Sequence, residues 1–371
     1  MLNLKEFFMN KILNIIFSVL FLLMILSGCG AKEEAVQEPP VQENPADVSQ
    51  EPKKAEEQLS EEKKEDEETS EEIKEAETVI ISALKGPTAM GMVKLMADAE
   101  EGTTTNKYEF TIATTDEIVP KLSKGEVDIA ALPANLASVL YNNTEGKVQV
   151  MAINTLGVLY AVEKGETIKE IGDLKGKTIY STGKGATPEF AVNYVLKANG
   201  IDPEKDLTIE YKSEAAEILP MLAGGQAEIA ILPQPFVTSA QAKVEGLRTA
   251  LDWTEEWNTI SKGESTLVTG VIVVRKEFAD ENPEAVKIFL EEYKASTEFC
   301  STNLSDAAAL VGKYGIVDAA IAEKAIPFCN ITYIDGQEMK TALEGYLNVL
   351  HGENPKSVGG TLPNESFYYI P

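Results

Sequence analysis

The chain has 371 residues, of which 60 are acidic and 33 are basic, so its formal net charge is −27. This length allows two domains, and the acidic balance disfavours nucleic acid as a partner. The single histidine, His351, disfavours a histidine-rich metal site and weakens any histidine-based catalysis.

Residues 1–28 are predicted to form a signal peptide of the lipoprotein type. Two lysines precede the apolar stretch 12–25, which is shorter than the roughly 20 residues that a membrane span needs. The stretch ends in Leu-Ser-Gly-Cys, and the small residues before Cys29 suit a peptidase that cleaves there before the thiol is lipid-modified, for example with palmitate. An uncleaved anchor helix is the alternative, and translation could begin at Met1 or at Met9.

Residues 29–77 are predicted to be the lipidated cysteine followed by a disordered acidic tether. Residues 30–77 contain 18 acidic residues and six lysines, a net charge of −12. Because this segment has few apolar residues, it cannot bury enough surface to offset its chain entropy. Repulsion between like charges extends such a linker. The segment therefore suits a tether that lifts a folded part away from a membrane.

From Thr78 onward, strand and helix patterns alternate, which is typical of an α/β fold with mostly parallel sheets flanked by helices. Residues 78–162 are predicted as the first part of lobe 1, and residues 163–265 as lobe 2. Each lobe repeats the order β, α, β, α, β, α. Lobe 1 has predicted strands at 78–84, 107–114 and 127–133, and lobe 2 at 177–182, 206–212 and 227–233.

One segment occurs twice, at an offset of 100 residues. Residues 120–133 read PKLSKGEVDIAALP and residues 220–233 read PMLAGGQAEIAILP, with seven of fourteen positions identical. Each copy contains a predicted helix, with a break or kink expected at its proline, and a predicted strand. Two long extended segments, 148–164 and 266–278, bracket lobe 2 and are predicted to cross between the lobes. Residues 266–371 are then expected to return to lobe 1 and form C-terminal helices.

Four loops follow predicted strands in matching positions of the two lobes. In open α/β sheets, ligands bind beyond the carboxyl ends of the strands, often at helix N-termini. A binding cleft is therefore predicted between the lobes, although ordinary turns between strands and helices have a similar composition. The four loops are 84–91, 132–135, 181–189 and 232–236.

Several motifs that could carry chemistry do not fit their sequence context. GDLKGKT at 172–178 is one residue short of a phosphate-binding loop and leads into a strand where a helix is required. Asp128 and Glu228 begin their strands, far from the predicted cleft, and are expected to be structural. Trp253 and Trp257 could line a pocket or fill a core. The sequence predicts no catalytic residues, no cofactor and no metal site.

The lipoprotein start, the two lobes, the GEVDIA and GQAEIAILP segments and IGDLKGKTI at 171–179 resemble the substrate-binding proteins of ABC importers. The resemblance covers about residues 78–350 and is closest to the family of alkanesulfonate-, taurine-, nitrate- and thiamine-pyrimidine-binding proteins. It implies a type 2 periplasmic-binding-protein-like fold with a two-segment hinge. Carried over by position, the ligand-binding residues would be Gly86, Pro87, Thr88, Ala89, Thr114, Thr115, Asn135, Asn154, Thr155, Ser181, Thr182, Gly183, Thr187, Gln234 and Phe236.

The same resemblance implies a monomeric, lipid-anchored protein outside the cytoplasm that has no catalytic step and delivers a small molecule to an ABC permease. A ligand sensor for a membrane receptor and a pyrimidine-synthase-like enzyme are the alternatives. Because the only arginines, Arg248 and Arg275, lie outside these loops, fork-like recognition of an oxyanion is not expected. Lys85, Lys184 and helix N-termini could still bind a small oxyanion or sulfonate. Stacking of a heteroaromatic ligand on Tyr160, Phe190 or Phe236 is slightly preferred.

Two cysteines remain after Cys29, namely Cys300 and Cys329. Outside the cytoplasm they could form a disulfide, but two buried thiols are equally compatible with the sequence.

Overall fold

A computed structural model describes residues 78–370. The predicted signal peptide, Cys29 and the acidic tether lie outside the described residues. Among the residues that are described, none of the helices combines the length and the apolar character that a membrane crossing requires.

Within residues 78–370, eleven strands build two sheets. They are β1 (Thr78–Leu84), β2 (Lys107–Ala113), β3 (Ile129–Pro133), β4 (Val148–Leu156), β5 (Leu159–Lys164), β6 (Thr178–Thr182), β7 (Thr208–Lys212), β8 (Ile229–Pro233), β9 (Leu247–Asp252), β10 (Val268–Arg275) and β11 (Ile331–Asp335). The first sheet has the order β11-β4-β10-β3-β1-β2, and the second has the order β7-β6-β8-β5-β9.

Thirteen α-helices flank these sheets in the described part of the chain. They are α1 (Pro87–Met90), α2 (Val93–Glu101), α3 (Thr115–Lys124), α4 (Ala134–Asn143), α5 (Thr187–Ala198), α6 (Ala215–Ala223), α7 (Phe236–Lys243), α8 (Trp253–Ser261), α9 (Lys276–Glu281), α10 (Pro283–Thr302), α11 (Leu304–Lys313), α12 (Ala319–Ala325) and α13 (Gly336–Glu353).

The two-sheet α/β architecture is confirmed, but both sheets are mixed rather than mostly parallel. In the first sheet β1 pairs in parallel with β2 and β3, whereas β10 runs antiparallel to β3 and β4. In the second sheet β6 pairs in parallel with β7 and β8, whereas β5 runs antiparallel to β8 and β9. The antiparallel members β5 and β10 are the strands by which the chain enters each sheet from the other one.

The repeated segment has the same local structure in both copies. Strands β3 and β8 occupy positions that differ by exactly the 100-residue offset, and helices α3 and α6 precede them. Both helices continue through their prolines, Pro120 and Pro220, so the expected break does not occur. Because both helices are short, the proline in each interrupts only a few backbone hydrogen bonds.

Residues 148–164 form two strands in different sheets, rather than one long crossing segment. The chain passes between the sheets at Gly157 and Val158, so β5 lies entirely in the second sheet and the predicted boundary after residue 162 falls within it. A side chain at position 157 has no room, since its Cβ would lie 2.2 Å from the Thr254 hydroxyl and 2.8 Å from Leu267. This close packing fixes the position of the crossing.

The largest apolar cluster contains residues from both sheets, including Val150 of the first sheet and Ile231 of the second. Trp253 and Trp257 are fully buried in it, so they belong to the core. Their indole N–H groups donate to the Ala191 carbonyl and to the Ser265 hydroxyl, both at 3.2 Å. The apolar core is therefore continuous between the two sheets.

The C-terminal residues pack mainly against the first sheet and its helices. Helix α10 packs on α2 and on β11, a strand that the sequence pattern did not reveal. Strand β9 of the second sheet was also missed. The C-terminal tail packs into the fold, because Phe367 is fully buried and the Tyr369 N–H donates to the Val150 carbonyl at 2.8 Å.

Cys300 and Cys329 are buried free thiols. Burial in apolar surroundings raises the pKa of each thiol to about 12, so neither is a reactive thiolate near neutral pH.

Candidate functional site

A cavity of about 500 Å³ lies where the two repeated strands end. Pro133 and Pro233, the last residues of β3 and β8, both line it, and they pair with Gly270 and Leu159 of the crossing strands. This volume is within the range of small-molecule sites. The full lining is Thr115, Pro133, Asn135, Leu136, Val139, Val158, Leu159, Gly185, Ala186, Thr187, Pro188, Pro233, Leu267, Thr269, Lys356 and Ser357.

Hydrogen bonds connect the two sides of this cavity. The Thr187 hydroxyl, at the start of α5, donates to Asn135 Oδ1 in α4 at 2.8 Å. Asn135 Nδ2 in turn donates to the Ser357 carbonyl at 3.2 Å. The Tyr346 hydroxyl on α13 donates to Thr187 Oγ1 at 3.4 Å. One polar chain therefore links the second-sheet helix α5 to the first-sheet helix α4 and to the C-terminal segment.

Two further contacts join the same sides at other points. The Tyr160 hydroxyl of β5 donates to the Phe328 carbonyl at 2.8 Å, and the Lys197 ammonium of α5 pairs with Glu353 of α13 at 2.5 Å. Both positions lie outside the cavity lining. The described conformation is thus one in which the two sheets are in contact around a remaining cavity.

Three of the fifteen predicted ligand residues line the cavity, namely Thr115, Asn135 and Thr187. Four others, Thr88, Ala89, Asn154 and Thr155, are buried beneath the first-sheet surface. Asn154 Nδ2 donates to the Thr88 carbonyl at 3.0 Å, and the Thr155 hydroxyl donates to Asn154 Oδ1 at 3.1 Å. In this conformation these groups bind one another.

Another four predicted residues lie at or near the ends of strands β1, β2 and β6, outside the cavity lining. Gly86, at φ 128°, precedes α1, and Pro87 is the first residue of that short helix. Thr114 caps α3 through reciprocal hydrogen bonds with Glu117. Ser181 is fully buried and its hydroxyl donates to the Ile231 carbonyl at 3.2 Å.

The remaining predicted residues are on the second-sheet side. Thr182 and Gly183 are partly buried, and Gly183 adopts φ 74° beside the Pro188 ring. Gln234 turns back on its own helix, since its Oε1 accepts from the Thr238 hydroxyl at 2.9 Å. Phe236 is 36% exposed and, in the described conformation, lies outside the cavity lining.

A family model for periplasmic phosphonate-binding proteins of ABC transporters matches residues 90–322, which is more than half of the chain. The chain belongs to this family. Its members are substrate-binding components of transporters, not enzymes. The confirmed family agrees with the resemblance carried by the repeated segments.

Curated relatives and solved structures agree with this assignment of the binding protein. A protein of Brucella abortus (strain 2308) whose name describes it as a binding protein is 24% identical over 205 residues, which are 55% of this chain. The chain spans about 60% of the length of that relative, and a protein of Brucella suis gives the same values.

Two solved structures share the fold. An ABC transporter structure from Parabacteroides distasonis has a TM-score of 0.66 at 24% identity, covering 79% of this chain and 98% of that one. The periplasmic aliphatic sulphonate binding protein SsuA from Escherichia coli has a TM-score of 0.63 at 16% identity, covering 80% and 92%.

Sequence reasoning missed half of the cavity lining, because the predicted loops and Thr115 account for eight of its sixteen residues. Leu136 and Val139 follow the predicted loop 132–135 within α4, so a helical pattern starting there could have indicated them. Val158, Leu159, Leu267 and Thr269 belong to the two crossings, which were predicted as hinges and not as walls. Lys356 and Ser357 come from the C-terminal segment, where nothing local indicates a ligand site.

Both arginines of the binding protein form ion pairs away from the cavity. Arg275 Nη2 bonds to Asp128 Oδ1 at 3.0 Å, and Asp128 Oδ2 also accepts from the Ile80 N–H at 3.0 Å. Arg248 Nη2 bonds to Glu163 Oε2 at 2.7 Å. Asp128 is therefore structural, as predicted.

The other candidate chemical groups lie outside the lining residues of the described chain. Lys184 lies over the Tyr211 ring, and Tyr160 and Phe190 are buried. The aromatic stacking preference therefore has no support from this cavity. His351 is half-buried in the last turn of α13, and no metal-binding cluster of three ligands occurs among residues 78–370.

Proposed function

We propose that this binding protein captures a small organic molecule in the cavity between its two sheets and delivers it to the permease of an ABC importer. The observation that carries the proposal is the cavity at the ends of β3 and β8, whose two sides are joined by the Asn135–Thr187 hydrogen bond. A ligand held there contacts both sides at once. Its binding energy can therefore favour the closed conformation over an open one.

The proposed opening motion divides the described chain at the two crossings. Residues 78–156 and 268–370 would move as one lobe, and residues 159–264 as the other. Only the crossing at Gly157 and Val158 and the crossing near Leu267 join the two covalently. The polar contacts that opening must break include those of Asn135, Tyr346, Tyr160 and Lys197 with the opposite side, and part of the apolar cluster shared by both sheets must separate as well.

Native mass spectrometry of the purified full-length chain tests the capture proposal. The expected result is one small molecule bound per chain, whose addition raises the unfolding temperature and lowers the radius of gyration in small-angle scattering. A chain that carries no ligand and responds to no member of a broad metabolite panel would contradict the proposal.

We further propose that the protein is exported and lipid-modified at Cys29. The lipid would hold it at the outer face of the cell membrane, with residues 30–77 as the tether. The sequence Leu-Ser-Gly-Cys and the acidic tether support this anchoring. Growth with a palmitate analogue that can be labelled should mark the wild-type chain and leave Cys29→Ala unmarked. Release of the wild type without detergent would argue against an anchor.

A further inference from the structure

Three glycines have the least free space beside their Cα atoms among residues 78–370. A Cβ added at Gly157 would lie 2.2 Å from the nearest non-neighbouring atom, and one added at Gly270 or at Gly345 would lie 2.4 Å from it. Gly157 is in the first crossing, and Gly270 is in β10, shortly after the second crossing. Gly345 belongs to neither crossing, because it lies in the middle of α13. This helix therefore has a backbone contact as close as those within the crossings themselves.

Gly345 marks the point where α13 meets the second lobe. The Cβ that it lacks would lie 2.4 Å from the Glu264 carbonyl oxygen and 3.2 Å from Ser265 Cα. Both are backbone atoms at the end of the second lobe, directly before the crossing near Leu267. Helix α13 itself packs on β4 and β11 of the first sheet. A helix of the first lobe therefore touches the backbone of the second lobe beside a crossing.

Hydrogen bonds tie the contacted segment to α8. The Ser265 carbonyl accepts from the Ser261 hydroxyl at 2.6 Å, and the Ser265 hydroxyl accepts from Trp257 Nε1 at 3.2 Å. The Glu264 N–H donates to the Ser261 carbonyl at 2.9 Å. Helix α8 in turn packs on α5, β5 and β9. A displacement at Glu264 and Ser265 is therefore passed to the rest of the second lobe.

The contact between α13 and the second lobe continues away from the crossings. The Tyr346 and Trp257 rings are 5.8 Å apart between their centroids, and both side chains are fully buried. Glu353, about 12 Å further along the helix than Gly345, pairs with the Lys197 ammonium of α5 at 2.5 Å. When lobes rotate about a hinge, atoms near the axis move least. The contact at Gly345 is therefore the part of this interface that opening preserves best.

We propose that Gly345 of α13 is a third, non-covalent element of the hinge, on which the second lobe pivots beside the two crossings. The inference rests on the proposed opening motion and adds a residue that controls it from outside the cavity. Glycine at this position lets the lobes come together, because a side chain would occupy the space of the Glu264 carbonyl. A residue with a Cβ holds the lobes apart and favours the open form.

Acrylamide quenching of tryptophan fluorescence in the full-length chain, dialysed free of small molecules, tests the inference. The chain has two tryptophans, Trp253 and Trp257, both are fully buried, and Trp257 packs against Tyr346 of α13. Gly345→Ala should raise the quenching constant about twofold or more, because open molecules expose Trp257. Small-angle scattering should show a larger radius of gyration for the same variant.

Gly352→Ala is the matched control. Gly352 also lies in α13, but no atom lies within 4 Å of the Cβ that alanine would add there. Both substitutions replace glycine by alanine, which favours a helix, so they differ in their steric effect on the second lobe. Gly352→Ala should therefore keep the quenching constant and the radius of gyration of the wild type.

Far-ultraviolet circular dichroism separates lobe opening from loss of the fold. Gly345→Ala should retain the wild-type spectrum, because separating the lobes leaves both sheets and their helices intact. A lost helical signal in Gly345→Ala would overturn the inference, since Gly345 would then serve folding and not the pivot. Wild-type quenching and radius of gyration in Gly345→Ala would also overturn it, as would an equal rise in Gly352→Ala.

The failure of this inference can be told apart from the failure of the capture proposal, because the pivot is measured without ligand. A wild-type chain that carries no small molecule and responds to no metabolite, while Gly345→Ala still opens, would overturn the capture function and leave the pivot in place. A chain that captures a molecule, but whose Gly345→Ala variant does not open, would overturn the pivot alone.

Discussion

The two copies of the repeated segment have the same elements, yet they have different roles at the cavity. Just after the first copy, Asn135 bonds to Thr187 on the opposite side of the cavity and to Ser357 of the C-terminal segment on its own side. In the second copy Gln234 bonds to Thr238 of its own helix, and Phe236 is exposed outside the lining. The C-terminal segment packs on α4 after the first copy and supplies Asn135 with a partner. Similar local sequence therefore produces similar elements, and neighbouring segments decide which residues become a binding wall.

The acidic residues that begin the two strands differ in the same way. Asp128 is buried between the Ile80 N–H and Arg275, whereas Glu228 is exposed. The predictions below separate the two copies further, from the largest expected effect to the smallest.

Asp128→Ala should lower the free energy of unfolding by about 3 kcal/mol, because it leaves the Ile80 N–H without its partner and the Arg275 guanidinium with only the exposed Glu277. The matching change in the second copy, Glu228→Ala, should cost less than about 0.5 kcal/mol at its exposed position. Urea denaturation measures both. Equal effects of the two substitutions would show that the copies do not differ here.

Leu136→Ala should weaken ligand binding by about tenfold, since it removes apolar surface from the cavity wall. Phe236→Ala, at the corresponding loop of the second copy, should leave the affinity within about twofold. Titration with the co-purified ligand compares them. A larger loss in Phe236→Ala would place the ligand against the second copy instead.

Asn135→Ala should shift the ligand-free chain toward a more open form, since its hydrogen bond with Thr187 joins the two lobes and contributes about 1 kcal/mol, whereas its bond to Ser357 lies within one lobe. Thr187→Val also removes the hydrogen bond from the Tyr346 hydroxyl, which crosses between the same lobes, and should have an effect at least as large. Gln234→Ala, which removes a local cap of α7, is the matched control. An unchanged radius of gyration for Asn135→Ala would mean that this polar chain does not hold the sides together.

Glu163→Gln should reduce the acid sensitivity of the second sheet. Burial raises the pKa of the Glu163 carboxyl, but hydrogen bonds from Thr167, Ile168 and Arg248 outweigh it, so the net shift is downward. A lowered pKa gives stability that is complete above the unfolded value, about 4.3, and is lost as the pH falls through the folded value. The decrease in unfolding free energy between pH 6 and pH 3 should therefore be smaller in Glu163→Gln. An identical pH profile would exclude this contribution.

The sequence by itself determined the α/β class, the duplicated unit and the end of each repeated strand. Alternating apolar patterns and the Leu-Pro pairs at 132–133 and 232–233 are local signals, because strand and helix periodicity depends on neighbouring residues. They placed the cavity between the two copies. The family resemblance, and not a local pattern, supplied Thr115, Asn135 and Thr187, which line this cavity; their binding of a ligand stays a prediction.

Only the tertiary structure decided which other residues line the cavity. Val158 and Leu267 reach it because the chain crosses between the sheets there, and Lys356 reaches it because the C-terminal segment packs on α4. Such contacts join residues up to about 220 positions apart in the chain. No local pattern encodes them, since they depend on how complete elements fit together.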